Sequence, residues 1–476
     1  MNASPASSAQ NVTLEPVVDL YVPSDAPTDG NSALALTTTE GSTSGYSATQ
    51  QSPCSQLPAS EHKFPEFPEE AYLGVGADFA DLFARNYETP KEFFYFDLLM
   101  LTANSLSGVV RADFGDLKTH TRLYGLKIGP SGTSKKSTSF DMAESFVKRA
   151  WSKALGSEED ELWGEGEERS KRAFTILPGV GSAEGLLEPL NNSRVLVYFD
   201  EFDRFMKKSG AEGSVIGTAF NELFERTSYS NHTKDRSTTV QNGHLGFLSN
   251  IPLEQFESMA SSGRLADLGL WNRVAYVAGD RRHRCNPPTA VSAQKLENLA
   301  GQLASYLSPY CETRETKGAK GATVKEVWPS KKEERLQLTA EAREQWAKLQ
   351  ELVGDGEATT RLDTIGMRLM AVLAVTSGKK EIDVEVVDAA LAFLKYQKTI
   401  RERYRPSQAE TREAQIEEAI LKQLTRRGAL TRRELQQYTN AARHGTERFK
   451  AALKALTDDQ QIVLGSDQKY RLNQVQ

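Results

Sequence analysis

The first 62 residues of this 476-residue chain contain no lysine and no arginine. Ser, Thr, Ala, Pro and Gly dominate instead, and such a segment cannot bury enough apolar surface to offset the entropy of ordering it. Residues 1–62 therefore read as a disordered tail, with one apolar island at Val17–Val22 that is either a chance cluster or a short docking motif. Cysteine is scarce as well: Cys54, Cys285 and Cys311 are the only three. Their spacing fits neither metal ligation nor a disulfide framework, which suits a reducing cytosol. No stretch reaches the roughly 18 uncharged apolar residues of a membrane span, and the amino terminus lacks the basic and apolar regions of a signal peptide, so a cytoplasmic protein is expected. Neither sign of charge is in large excess. Lys and Arg number 58 against 64 Asp and Glu, a net charge of −6, which excludes a global attraction to nucleic acid and leaves any such binding to local basic patches. What remains is a chain with 26% charged and 39% hydrophobic residues, enough for two or three domains around a substantial core.

From Phe64 the texture changes. Pro68, Glu69 and Glu70 open a helical pattern through Arg85, and Pro90 to Leu106 continues it with aromatics and leucines at helical spacing, so residues 63–118 read as a helical lead-in. Strands and helices then alternate, the pattern of an α/β domain. Strands are expected at Leu126–Ile128, Ala173–Leu177, Val195–Phe199, His244–Ser249 and Val274–Ala278, with helices at Ser137–Leu155, Ser182–Leu187 and Val215–Arg226. This core covers 119–285. A largely helical region follows over 286–408, with helices at Ala340–Val353, Asp363–Ser377 and Val384–Tyr396 and a polar, Gly- and Lys-rich break from Glu315 to Lys325.

Two segments of the core carry chemistry. The strand Leu126–Ile128 enters a turn reading Gly129, Pro130, Ser131, Gly132, Thr133, Ser134, Lys135, Lys136, Ser137, Thr138. Backbone N–H groups of such a turn can cradle phosphates, its lysine neutralises the β and γ phosphates, and a hydroxyl beside it holds Mg²⁺. The usual spacing places glycine directly before the lysine, whereas here Thr133 and Ser134 intervene. Either the loop is one residue longer and Lys136 acts with Ser137, or Lys135 is the phosphate ligand and Lys136 fills the hydroxyl position; the first choice keeps a hydroxyl for magnesium. The second segment is the buried-strand run Val195–Phe199, which delivers Asp200 and Glu201 at its end, 64 residues beyond Lys136 (200 − 136). One carboxylate would hold the metal and the other would polarise water. The bland reading is a surface loop with lysines, and the carboxylate pair following in the right order weighs against it. Asn250, at the end of the next strand, is in the right place to sense a γ phosphate.

The segment Tyr198–Phe205, reading YFDEFDRF, resembles the Walker B region of minichromosome-maintenance-type AAA+ helicases, and Leu270–Val274, reading LWNRV, resembles their arginine-finger segment. Thr360, Arg361 and Leu362, with Met367, Arg368 and Leu369 and then Ile382–Tyr396, resemble the sensor-2 helix and lid of that group. The phosphate loop, with its extra basic residue, is closer to an uncharacterised P-loop ATPase family of plasmid, phage and mobile-element proteins, often fused to primases; that similarity runs from about Phe64 to Asp280. The resemblance implies a P-loop NTPase core of AAA+ type with a helical lid. It implies that Lys136 binds phosphate, Ser137 and Asp200 bind Mg²⁺, Glu201 activates water and Asn250 is sensor 1. Arg273 would reach the ATP of a neighbouring subunit and Arg361 would be sensor 2, in an oligomeric ring. Both arginines are also open to reading as ordinary surface residues. No amino-terminal oligonucleotide-binding barrel and no primase domain is read in the chain.

Two regions offer nucleic-acid contacts. The polar loop Tyr229–Gly243 carries His232, Lys234 and Arg236, and reads either as a channel-facing loop in a ring or as a solvated surface loop. Residues 411–476 read as a winged helix: helices at Ile416–Leu424, Thr431–Tyr438 and His444–Leu456, the second with a Thr431/Glu434 capping box, then strands at Gln461–Leu464 and Lys469–Leu472. Twelve Lys or Arg against eight Asp or Glu give this module a local charge of +4. Arg432, Arg433, Arg443, Arg448 and Lys450 are its candidate DNA contacts, unless the module binds protein instead. The function expected is an ATP-driven DNA motor, a helicase or remodelling ATPase of a plasmid, phage or mobile element, working with replication or mobile-element proteins. The alternative is a nucleotide-dependent switch or scaffold.

Overall fold

A computed structural model describes residues 54–56, 64–157, 173–210, 214–232, 237–261, 264–267, 269–285, 288–317, 323–349, 351, 354, 356–404, 412–439 and 446–473. Its centre is a sheet of five parallel strands: β3 (Tyr124–Gly129), β4 (Thr175–Leu177), β5 (Arg194–Phe199), β8 (His244–Pro252) and β9 (Val274–Ala278), in the order β4, β5, β8, β3, β9. Burial runs along β3, β8 and β9 almost without alternation, the mark of strands covered on both faces. The chain leaves β3 through α3 (Lys136–Leu155) to reach β4 at the far edge, and later returns past β3 to β9. In an open parallel sheet such a reversal leaves a crevice at the carboxyl ends of the strands, the usual place for a ligand.

Helix α1 (Gly74–Ala84) and helix α2 (Lys91–Ser105) come ahead of the sheet, and every residue of α2 except Lys91 is buried. One continuous apolar core runs from Phe67 through the sheet into α10 (Leu362–Thr376) and α11 (Val384–Arg403). The expected lead-in and lid therefore share the core of the sheet. Helix α11 also seals the open edge of β9. The Gln397 side chain accepts from the Tyr276 amide (2.7 Å) and donates to its carbonyl (2.8 Å), while the Tyr396 hydroxyl takes the Ala278 amide (2.9 Å). A side-chain amide thus replaces the next strand, which removes the unpaired edge.

Three expectations need correction. The polar loop 229–243 contains a hairpin, β6 (Tyr229–His232) with β7 (Ser237–Val240). The break expected at Glu315–Lys325 lies inside a second hairpin, β11 (Cys311–Lys317) with β12 (Thr323–Pro329), whose length came from cross-strand pairing that helical periodicity could not reveal. The third concerns the cysteines. Strand β1 (Cys54–Gln56) pairs with β10 (His283–Cys285), with Cys54 opposite Cys285, and Cys285 is disulfide-bonded while Cys311 is free. Residues 231 apart in sequence (285 − 54) are brought together only by sheet register. This bond removes the cysteine argument for a reducing compartment. Apart from Cys54–Gln56, the expected disordered tail lies outside the described residues. No described helix is long and apolar enough to cross a membrane.

The carboxyl-terminal module has its own small core, built on Ile420, Leu435, Phe449 and Ile462. It consists of α12 (Arg412–Arg427), β14 (Leu430–Thr431), α13 (Arg432–Tyr438), α14 (Thr446–Asp458), β15 (Ile462–Leu464) and β16 (Lys469–Leu472), the strands pairing β14–β16–β15. Thr431 caps α13 through the expected reciprocal box with Glu434. The module is tied to the main body at α7 (Leu253–Ser261), where Glu257 pairs with both Arg426 and Arg427.

Candidate nucleotide site

Strand β3 ends at Gly129 and α3 begins at Lys136, so the glycine-rich segment is a tight connection at the carboxyl end of a central strand. Backbone conformation decides which residues it tolerates. Gly132 has φ 75°, a region that L side chains rarely adopt, and a Cβ on Gly129 would come within 2.6 Å of the Gly279 carbonyl oxygen. Lys135 takes φ 44° to turn the chain into the helix, whose amino terminus is capped by no side chain. A helix start of that kind presents N–H donors and a partial positive charge to an anion.

The structure separates the two lysines. Lys135 turns away to pair with Glu88 at 3.0 Å. Lys136 folds back over the loop, donating to the Gly129 and Pro130 carbonyls (2.9 and 3.1 Å) and the Ser134 hydroxyl (3.0 Å). Burial, helped by the charge of Lys127, lowers the Lys136 ammonium to about 8. Thr138 follows on the first turn of α3, half-buried.

Asp200 lies at the end of β5, and three donors meet on its Oδ1. The Ser137 hydroxyl is 2.5 Å away, the Asn250 amide 2.9 Å and the Tyr198 hydroxyl 3.2 Å. Burial alone would raise this carboxyl, but the three hydrogen bonds hold it below the ordinary value. Asn250 donates to Tyr198 as well (2.8 Å), and Tyr198 stacks flat on Phe140 of α3 at 3.7 Å. Sheet register explains the convergence: Ser249 lies opposite Phe199 on one side, and Asn250 opposite Lys127 on the other. The Asn250 Oδ1 is buried with no hydrogen-bond partner among the described residues, and a buried acceptor of that kind calls for an explanation. A hydroxyl and a carboxylate in contact form an oxygen donor pair that suits Mg²⁺, which is usually held by one or two carboxylates together with phosphates and waters. No cluster of three or more His, Cys, Asp or Glu able to hold a metal occurs among the described residues.

Comparison with known proteins finds no matching family model and no matching curated protein.

Beneath the loop lies a pair that sequence reading missed. Lys127, in the middle of β3, donates to Asp97 of α2 (2.6 Å), to the Lys136 carbonyl (2.6 Å) and to the Ser139 hydroxyl (3.1 Å), and both charged side chains are fully buried. Burial pushes Asp97 up to about 6 against the pull of Lys127, and pushes Lys127 down. The ammonium ties the start of α3 to the core. The available signal was one charge embedded in each of two apolar runs, since buried charges are rarely found unpaired.

Other predicted residues are placed elsewhere. Glu201 is exposed and pairs with Arg204 at 3.3 Å. Arg273 precedes β9 and donates to the Gly269 carbonyl at 2.6 Å. That is the amino end of the sheet, ~17 Å from the phosphate loop for five residues of strand. Arg361 pairs with Glu225, at the end of α6 (Ile216–Glu225), on the same far edge. Neither arginine is brought to the phosphate loop of its own chain. Arg432, Arg433, Arg448 and Lys450 are exposed on α13 and α14, with Lys450 paired to Glu447 at 2.6 Å. Lys234, Arg236 and Arg443 lie outside the described residues.

Proposed function

We propose that this chain is an ATP hydrolase with a P-loop core of AAA+ type, resembling minichromosome-maintenance-type helicases, and that it acts as a motor on DNA. The observation that carries the reading is the convergence of Ser137, Asn250 and Tyr198 on one oxygen of Asp200, beside the start of α3 where Lys136 lies. In this reading Lys136 and the amide groups at the start of α3 bind the β and γ phosphates of ATP. Ser137 and Asp200 would hold Mg²⁺, which would supply neutralising charge to the phosphates. Asn250 orients what lies between Asp200 and the γ phosphate. Glu201 takes the proton of the attacking water after leaving Arg204. Arg273, on the edge away from its own loop, serves the site of a neighbouring copy in a ring, and Arg361 keeps a structural role with Glu225. Residues 411–476 are a winged helix that holds DNA through Arg432, Arg433 and Arg448.

A second reading, a nucleotide-dependent switch that recruits protein partners, is favoured by two observations. Glu201 is turned to Arg204, and the carboxyl-terminal module is clamped to α7, which directly follows the strand of Asn250. Steady-state ATP turnover by the wild type, Lys136→Ala and Glu201→Gln, each with and without single- and double-stranded DNA, separates the two. A motor shows DNA-stimulated turnover that both variants abolish. Slow turnover indifferent to DNA, with assembly controlled by ATP, selects the switch. Wild-type turnover in Lys136→Ala refutes the site.

A further inference from the structure

A cavity of about 460 Å³ opens at the amino-terminal edge of the sheet, opposite the phosphate loop. Arg194 and His244, the first residues of β5 and β8, form its floor, and Arg314, Trp328 and Lys331 of the β11–β12 hairpin region form its wall. Two guanidinium groups are held ready there. Arg194 donates from Nε to the Ser107 carbonyl (2.7 Å) and from Nη1 to the Ala173 carbonyl (3.3 Å), which leaves Nη2 for a ligand. Arg314 donates from Nε to Glu312 (2.7 Å) and from Nη2 to the Pro329 carbonyl (2.7 Å), which leaves Nη1. Its guanidinium also sits 5.2 Å from the Trp328 ring.

No aspartate or glutamate lines this cavity among the described residues. Glu312 balances Arg314, and Glu326, which accepts from Trp328 Nε1 at 3.3 Å, offsets part of the charge of Arg194 and Lys331, so the cavity keeps a net positive charge. His244 adds none: its Nδ1 is engaged with the Ser107 hydroxyl at 2.9 Å, and burial keeps the ring neutral. Burial, and after it the charge of Arg314, lowers Arg194 to about 10, as expected of two cations facing one space. Fixed guanidinium forks with spare N–H donors match the oxygens of phosphate, and an indole beside them offers a face for a base.

We propose that this cavity is a second anion site, which binds a phosphoryl group of a free polyphosphate or nucleotide, or of a nucleic-acid strand, through Arg194, Arg314 and Lys331. It stands independently of the nucleotide site at Lys136. The test therefore uses the full chain carrying Lys136→Ala, so that failure of the one site cannot be taken for failure of the other. Calorimetric titration measures binding of inorganic pyrophosphate and, separately, of an oligothymidylate, before and after adding Arg314→Gln with Lys331→Glu. Loss of two charge-assisted contacts is expected to weaken binding by about ten-fold or more. Weakening confined to pyrophosphate identifies a free ligand, weakening confined to the oligonucleotide identifies a strand, and weakening of both identifies the shared phosphate chemistry. Lys331 is exposed, so Lys331→Glu alone keeps the fold and must still weaken binding several-fold. Absence of binding by either ligand, or affinities that the substitutions leave unchanged, overturns the proposal.

Discussion

Lys127→Met removes the ammonium that faces Asp97 and leaves a carboxylate in a site with 0% exposure. Breaking one side of a buried pair costs ~3–5 kcal/mol, because the remaining charge has neither water nor partner. Against a typical stability of ~5–15 kcal/mol that is a large fraction. At ~1–1.4 °C per kcal/mol for a chain of this length the melting temperature should fall by roughly 3–7 °C. Adding Asp97→Asn should restore much of the loss, since no buried charge then remains. The pH dependence gives a sharper test. Burial already raises Asp97 from 3.8 to about 6 in the presence of Lys127. Between those values the folded state binds more protons than the unfolded chain, so stability falls as pH rises through the window. Without Lys127 the folded value climbs further, and the deficit of Lys127→Met should narrow on going from pH 7 to pH 5. Thermal melting followed by circular dichroism at both pH values, on the wild type, both single variants and the double variant, measures this. A melting temperature within about 2 °C of wild type at pH 7, or a deficit that widens on acidification, would refute the account.

Three further outcomes follow from the structure. Lys136 titrates at about 8 instead of its ordinary 10.5, so the folded state binds fewer protons than the unfolded chain between these values and stability rises with pH there; since phosphate favours the ammonium, ATP affinity measured by titration should weaken by up to ~10-fold per pH unit above about 8, and a flat profile removes Lys136 from the site. Glu257→Ala leaves Arg426 and Arg427 unpaired at a buried contact costing ~3–5 kcal/mol, and because the carboxyl-terminal module has its own core, hydrogen exchange should rise at α7 and at the end of α12 while α14 keeps its protection. Thiol titration of the unfolded protein should find one reactive cysteine before reduction and three after it; three at the outset would show that Cys285 is unpaired.

The sequence by itself determined the parts that depend on local pattern. An apolar run entering a glycine-rich turn with lysines predicts a strand, a loop and a helix start, and the structure has β3, a tight turn and α3 in that place. The Val195–Phe199 run followed by Asp200 works in the same way, because a buried strand must end in polar residues at the sheet edge. The capping box at Thr431 was legible because both partners lie within one helical turn. Tertiary structure alone decided the rest. Which lysine folds over the loop depends on Glu88 standing ready to take Lys135. That Asn250, Ser137 and Tyr198 meet on Asp200 depends on strand order, since β8 separates β5 from β3. Arg361 reads by motif as a residue of the nucleotide site, yet α10 places it beside Glu225 on the far edge, because its position follows from how a buried helix packs. Lys127 with Asp97, Arg194 with Arg314, and Cys54 opposite Cys285 lie 30, 120 and 231 positions apart (127 − 97, 314 − 194, 285 − 54). Periodicity and spacing carry information over a turn or a strand. Contacts at these separations are set by the register and packing of the folded sheet.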